Sequence, residues 1–146
     1  MSQTPKQVIT DAPWTVLTGQ IIRLAFDLHN EIGPGHREAA YHNGMVLKLQ
    51  SAGLDYESEP YTPITLADGS TIKGQMPDFV IEQQVIVELK AHTYTMSRDE
   101  MAQVIGYFAA LPQCPVALYF NFGRPRVEMH RLLPPVTVQA YRRGSG

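Results

Sequence analysis

The chain has 146 residues, of which 44% are hydrophobic and 18% charged, and its formal net charge is −2 at pH 7. This length fits one domain that buries roughly two-thirds of the surface exposed by its unfolded chain. The single cysteine, Cys114, excludes an internal disulfide and a four-cysteine iron-sulfur cluster, and no run approaches the ~20 apolar residues of a membrane helix.

Two helices are predicted in the first third of the chain, after a polar segment 1–13 that we expect to be flexible. Apolar residues at helical spacing predict the first helix over about residues 15–31. Gly33-Pro34-Gly35 ends it, because proline and glycine both interrupt helices. A second helix is predicted over about residues 36–52.

The following residues have strand patterns. Strands are predicted within 54–61, 63–66 and 71–74, with a turn at Asp68-Gly69. Two continuous apolar runs, 79–81 and 85–87, flank the polar residues 82–84 and predict a hairpin covered on both faces. A capping box at Ser97–Glu100 begins a third helix that runs to about Leu111, and strands are predicted over 116–122 and 127–132.

These elements predict an α/β fold of the α+β type, with a central mixed sheet flanked by helices in the order α-α-β-β-β-β-α-β-β. We expect one domain over 14–133 and a basic tail over 134–146. Residues 121–146 carry five Lys+Arg and one Asp+Glu, whereas residues 1–120 carry seven and thirteen. The arginines could form a basic face for phosphate or a solvated tail. The first residues lack the apolar segment of a signal peptide, so we expect a cytoplasmic protein.

Acidic residues and a lysine occur in the predicted hairpin. Pro77-Asp78 comes just before one strand, and Glu88-Leu89-Lys90 ends the other. An acidic-x-Lys triplet is expected about once by chance in a chain of this length. The context makes a functional role for this triplet more significant, because Glu and Lys are rarely placed among apolar strands without a partner. A salt pair between Glu88 and Lys90 along an edge strand is the structural alternative.

Strand geometry makes the hypothesis testable, because side chains alternate between the faces of a sheet. Glu88 and Lys90 therefore share one face. In an antiparallel hairpin, Asp78 lies on the same face only if the two residue numbers of each cross-strand pair add up to an even number. In that register Asp78 pairs with Glu88. This requires a loop with an odd number of residues, such as Glu82–Gln84, or a bulge.

Such a group fits a divalent metal. Mg²⁺ is usually held by one or two carboxylates, with water and substrate phosphate completing its shell. Asp78, Glu88 and the backbone carbonyl of Leu89 would supply the protein ligands, and Mn²⁺ could substitute. Lys90 would orient the attacking water or stabilise charge in the transition state. Hydrolysis of phosphodiester bonds by metal-activated water is therefore the leading functional hypothesis.

The order of several motifs resembles a known family. Gly35-His36-Arg37-Glu38-Ala39-Ala40-Tyr41 is a complete G-x-x-E-x-x-Y, and it is followed by Pro-Asp, E-x-K and Asn121-Phe122-Gly123. Over roughly residues 18–132 the chain resembles the GxxExxY protein family, a branch of the PD-(D/E)xK nuclease superfamily with a restriction-endonuclease-like core. The resemblance implies that Glu38 is a further metal ligand and that Gln103 and Tyr107 form a Q-x-x-x-Y motif, with Gln103 catalytic.

Other residues complete the predicted site. The candidate contacts to nucleic acid are Tyr41, His92, Tyr107, Arg124 and Arg126. No zinc site is expected, because His29, His36 and His42 lack the i, i+4 spacing of a helical zinc pair. DNA is expected in preference to RNA, with a homodimer or a partner protein adding grip on the substrate. The alternative is a module with this fold that binds nucleic acid or a partner but does not cut.

Overall fold

The computed structural model describes residue 3 and residues 14–145. The helices are α1 (Thr15–Ile32), α2 (Glu38–Ser51), α3 (Arg98–Gly106) and α4 (Val136–Ser145), and a 3₁₀ turn (Tyr107–Ala109) extends α3. The strands are β1 (Tyr56–Ser58), β2 (Ile64–Thr65), β3 (Thr71–Ile72), β4 (Phe79–Ile81), β5 (Val85–Lys90), β6 (Val116–Asn121) and β7 (Glu128–Leu132).

Five of the strands form one mixed sheet in the order β1-β4-β5-β6-β7. Only β5 and β6 are parallel, and α3 lies in the connection between them. Strands β2 and β3 pair as a separate hairpin outside this sheet. The predicted fold class is confirmed, but the predicted element order is wrong in two places. Each of the five predicted stretches before α3 contains a strand, whereas the predicted order counted four, and α4 forms within the predicted tail.

The sheet separates two apolar layers. On one face, α1 and α2 pack against alternate residues of the central strands, among them Phe79, Val87 and Phe120. On the other face, α3 and the 3₁₀ turn cover the intervening residues, among them Ile86 and Tyr119. Cys114 is buried in this second layer. Because both faces are covered, the central strands are apolar at successive positions, as the sequence predicts.

The β4–β5 hairpin has the required parity. Phe79 pairs with Val87 and Ile81 pairs with Val85, so the loop is the three residues Glu82–Gln84. Two of these residues, Glu82 and Gln83, have φ of 52° and 56°, a left-handed conformation that is uncommon outside glycine. This loop sets the register of the hairpin, in which Asp78 comes just before the Phe79–Val87 pair.

The two ends of the chain contact the fold at different places. The predicted flexible segment lies outside the described residues except for Gln3, whose side chain accepts a 2.7 Å hydrogen bond from the backbone N–H of Val127. In α4, the guanidinium of Arg142 donates to the carbonyl oxygens of Leu111 and Cys114 at 2.9 and 3.3 Å. None of the described helices combines the length and apolar character required to cross a membrane.

Candidate active site

Asp78 lies in a bend directly before β4, where the two strands of the hairpin separate. Its Oδ2 accepts a 2.7 Å hydrogen bond from the backbone N–H of Leu89. Strand β4 begins only at Phe79, so it has no residue paired with Leu89. The Asp78 carboxylate accepts the hydrogen bond of the Leu89 N–H in place of a strand carbonyl. The N–H and C=O of one strand residue point to the same side, and the Leu89 carbonyl is therefore directed toward the Asp78 edge.

Glu88 is a buried carboxylate with 4% of its surface exposed. Burial, reinforced by the negative charge of Asp78, raises the pKa of Glu88 to about 8. The ammonium of Lys90 lies 3.3 Å from Glu88 Oε2. Burial lowers the pKa of Lys90, but Glu88 and Glu38 outweigh it, so the net pKa of Lys90 is raised.

Glu38 reaches the same group from the first turn of α2. Partial burial raises the pKa of Glu38; Lys90 lowers it and Asp78 raises it again. These electrostatic couplings place Glu38 near both residues, although its side chain keeps an exposed surface. The structure thus brings together Glu38, Asp78, Glu88 and Lys90 from three segments that are distant in sequence.

Two further residues that the sequence analysis did not select border Asp78. Its Oδ1 accepts a 2.9 Å hydrogen bond from His42 Nδ1, and His42 Nε2 is hydrogen-bonded to Ser58 Oγ at 2.8 Å. Ligand atoms of His42, Glu59 and Asp78 lie within 4.8 Å of one another, beside a pocket of about 300 Å³ that Glu38 also lines. The i, i+4 spacing of Glu38 and His42 on α2 was the available signal, whereas Glu59 had none.

Helix α3 and the turn after it bring a tyrosine to the carboxylates. Tyr107 is 2% exposed, and burial together with Glu88, Asp78 and Glu38 raises its pKa strongly. Among the described residues, its hydroxyl has no hydrogen-bond partner. Gln103, one turn earlier, lines a neighbouring cleft together with Tyr107.

Tyr41 does not lie on the surface of the site. It is fully buried, stacks on Phe122 with ring centroids 4.7 Å apart, and donates a 2.7 Å hydrogen bond to the Gly33 carbonyl. The expected contact of Tyr41 with nucleic acid is therefore corrected to a packing role: it fixes the elbow between α1 and α2, and with it the start of the helix that carries Glu38.

His92 lies beyond the end of β5 rather than on it. Its ring is 2.8 Å from Glu100 and stacks on Tyr94. Its backbone N–H donates to Asn121 Oδ1 at 2.8 Å, so the buried Asn121 holds the chain that leaves the site. His92 also lowers the pKa of Glu38, which places it at the border of the carboxylate group.

Among the described residues, Arg124, Arg126 and Arg142 lie in different places. Arg126 is exposed and Arg124 half-buried, and both lie in the loop between β6 and β7. Arg142 instead donates to backbone carbonyls and lies over the ring of Phe108, 5.8 Å from its centroid. Arg142 therefore does not belong to the basic face that the charge distribution suggested. Its guanidinium instead attaches α4 to the segment that follows α3.

Comparison with known proteins agrees with this arrangement. The family model of the PD-(D/E)XK nuclease superfamily matches residues 15–132. No curated protein matches the chain in sequence.

Two solved structures are similar in fold. The crystal structure of SSO0001 has a TM-score of 0.51 at 13% identity, covering 90% of this chain and 66% of that one, slightly under two-thirds of its length. An alkaline exonuclease (LHK-Exo) from Laribacter hongkongensis has a TM-score of 0.47 at 10% identity, covering 93% of this chain and 77% of that one. At this identity, the likeness to SSO0001 supports the fold alone.

Proposed function

The chain belongs to the PD-(D/E)XK nuclease superfamily, and from this premise we propose that it is a metal-dependent nuclease that hydrolyses phosphodiester bonds, in DNA in preference to RNA. One observation carries the proposal. The three-residue loop of the β4–β5 hairpin pairs Phe79 with Val87, which leaves Asp78 beside the end of β5 that carries Glu88, with Lys90 3.3 Å from Glu88. These are the acidic and lysine residues of the Pro-Asp and E-x-K motifs.

The donor set fits a hard divalent cation. Glu38, Asp78, Glu88 and the Leu89 carbonyl are all oxygen donors, the type that Mg²⁺ prefers and Mn²⁺ accepts. The raised pKa of Glu88, caused first by burial and then by Asp78, means that this carboxyl holds its proton more tightly than usual, and a bound cation would favour its ionised, ligating form. When bound, the metal would activate water and offset the charge that develops on the phosphate.

The remaining groups act around the phosphate. The pKa of Lys90 is raised, so this group stays cationic, and it can orient the attacking water or stabilise the transition state. The Tyr107 hydroxyl is buried beside Glu88. We assign Gln103 to positioning the substrate from the adjacent cleft. His92, Arg124 and Arg126 are proposed contacts to the nucleic-acid backbone, Arg126 being the most exposed of the three.

One observation favours a second candidate, a module that binds nucleic acid without cutting. Both carboxylate oxygens of Asp78 already accept hydrogen bonds, Oδ1 from His42 and Oδ2 from Leu89. A metal would have to displace His42 or share Asp78 with it. If His42 keeps its hydrogen bond to Asp78 and no metal binds, the protein would keep this fold without nuclease activity.

The finer parts of the proposal rest on the motifs. The G-x-x-E-x-x-Y at 35–41 supports membership in the GxxExxY branch. A cytoplasmic location, and a homodimer or partner protein that adds grip on the substrate, are further parts of the proposal.

The test is cleavage of labelled single- and double-stranded DNA and RNA with Mg²⁺, Mn²⁺ or EDTA. We expect metal-dependent cutting that Glu88→Ala and Lys90→Ala each reduce by about 10²-fold or more. Arg23→Ala removes an exposed charge from α1, on the opposite side of the sheet, and should cut normally. Equal cutting by all variants would indicate a contaminant, and binding without cutting by the wild type would favour the second candidate.

A further inference from the structure

The β2–β3 hairpin stands apart from the main sheet and borders helix α3. Between the two lies a cleft of about 280 Å³, and Lys73, Gln75, Gln103 and Tyr107 are among its lining residues. Lys73 and Gln75 come from the hairpin side and are exposed to solvent. The cleft therefore has a cationic wall facing an α3 wall that leads to the carboxylates.

The base of the hairpin is closely packed. Thr62 Oγ1 donates a 2.6 Å hydrogen bond to the Gln75 carbonyl. A Cβ added at Gly74 would lie 2.2 Å from the Thr62 carbonyl oxygen, a distance that no side chain tolerates. The two arms are thus held together directly beside Lys73, so the position of this lysine along the cleft wall is fixed by the backbone.

Tyr107 connects this cleft with the candidate active site. It lines the cleft and is 2% exposed, and its hydroxyl has no hydrogen-bond partner among the described residues. A buried hydroxyl without a partner is costly. The hydroxyl lies close to Glu88, which contributes to its raised pKa, so Tyr107 joins the wall of the cleft to the carboxylate group.

The cleft is small for a nucleic-acid site. Ligand pockets typically measure about 300–1,000 Å³, so a cleft of about 280 Å³ suits one nucleotide unit better than a base-paired step. Proteins that bind single strands combine cationic grooves with contacts to individual unpaired bases. The hairpin on one side and α3 on the other would obstruct the second strand of a duplex.

We propose that this cleft binds one unpaired nucleotide of the strand to be cut, with Lys73 on its phosphate, so that the substrate is a single strand or a frayed duplex end. This inference rests on the proposed function, because it names the substrate class of the same site. Lys73 contributes through its charge, and Tyr107 lines the cleft and connects it with the carboxylates.

Binding separates this inference from the proposed chemistry. Fluorescence anisotropy with a labelled 12-nucleotide DNA strand, the RNA strand of the same sequence and the blunt DNA duplex would be measured in EDTA. We expect either unpaired strand to bind more tightly than the duplex, and the tighter of the two identifies the sugar. Lys73→Gln should weaken single-strand binding about tenfold, as for one charged hydrogen bond, and reduce the slope of log K against log salt by about 0.7.

Two variants control for the loss of charge. Lys73→Arg should restore the affinity, and Arg23→Gln on α1 should leave it unchanged. Duplex binding equal to or tighter than single-strand binding, or equal effects of Lys73→Gln and Arg23→Gln, would overturn the proposal. If the strand preference and the Lys73 effect hold but the wild type cuts no substrate with Mg²⁺ or Mn²⁺, the proposed nuclease activity fails while the cleft assignment stands.

Discussion

The two ends of the β4–β5 hairpin have opposite chemistry on the same pair of strands. Toward the loop, Phe79–Ile81 and Val85–Val87 are all buried and apolar. Toward the open end, Asp78, Glu88 and Lys90 bring three ionisable groups together. The difference follows from where β4 begins. From Phe79 onward β4 pairs with β5, whereas before Phe79 the Asp78 carboxylate contacts β5 through the Leu89 N–H.

This contrast shows what allows a sheet to bury charge. A strand side chain in the middle of a covered sheet has no access to water or a counter-ion, and ionised groups there are very costly. At the open end, Glu88 has Lys90 beside it and Asp78 has the Leu89 N–H. The apolar end therefore stabilises the fold, and burial of the ionisable groups at the other end lowers that stability.

The largest effect should come from the apolar end. Phe79→Ala removes a fully buried ring, and such truncations cost about 3–5 kcal/mol of unfolding free energy. Ile72→Ala, at a half-exposed position of the separate hairpin, should cost far less. Urea unfolding measures both variants. Similar losses in the two would mean that the β4–β5 core does not dominate the stability of the domain.

Metal should stabilise the charged end by linkage. At a Mg²⁺ concentration 100 times its dissociation constant, the unfolding free energy should rise by about 2.7 kcal/mol. The rise should disappear in Asp78→Asn and persist in Phe79→Ala, which leaves the oxygen ligands in place. Melting curves with Mg²⁺ or EDTA test this, and a metal shift retained by Asp78→Asn would contradict the ligand assignment.

The pH dependence of stability should also come from the charged end. Because burial raises the pKa of Glu88 to about 8, the folded protein keeps a proton that the unfolded chain loses near pH 4.5. Above this pH, the unfolding free energy therefore falls toward pH 8, by at most about 1.4 kcal/mol per unit from this group. Metal-free unfolding of Glu88→Gln should lack this slope. An unchanged slope would mean that another group titrates.

The smallest effect is expected in the loop that sets the register. Glu82→Gly relieves a left-handed φ of 52° at the cost of glycine entropy, with a net gain of about 0.5 kcal/mol. Gln84→Gly is the matched control, because Gln84 has no positive φ. This variant should lose about 0.5 kcal/mol of unfolding free energy. Unfolding free energies compare the two, and equal losses would show that the loop stores no strain.

Local patterns were sufficient for much of the fold. The capping box at Ser97 and Glu100 predicted the start of α3, and both of its hydrogen bonds form. The alternation of strand side chains predicted that Asp78 could join Glu88 and Lys90 only with an odd loop or a bulge, and the structure has the three-residue loop Glu82–Gln84. Each of these signals lies within about ten residues of its consequence.

The remaining features depend on packing between distant segments. Glu59 meets Asp78 because β1 pairs with β4, and its own sequence surroundings carry no sign of this. The α4 contact of Arg142 with carbonyls near residue 111 likewise arises only when the fold is complete, so charge counting misplaced this arginine. His42 was within reach of the sequence, since it follows Glu38 by one helical turn.

The hydrogen bond from Tyr41 to Gly33 has a consequence for how the G-x-x-E-x-x-Y motif is used to recognise other sequences. Tyr41 fixes the joint between α1 and α2, whereas Glu38 has an exposed side chain and is a proposed metal ligand. A homologue that kept the joint but replaced the glutamate would score well against the motif and fold correctly while lacking that proposed ligand. Searches for active members should therefore weight the glutamate separately from the tyrosine.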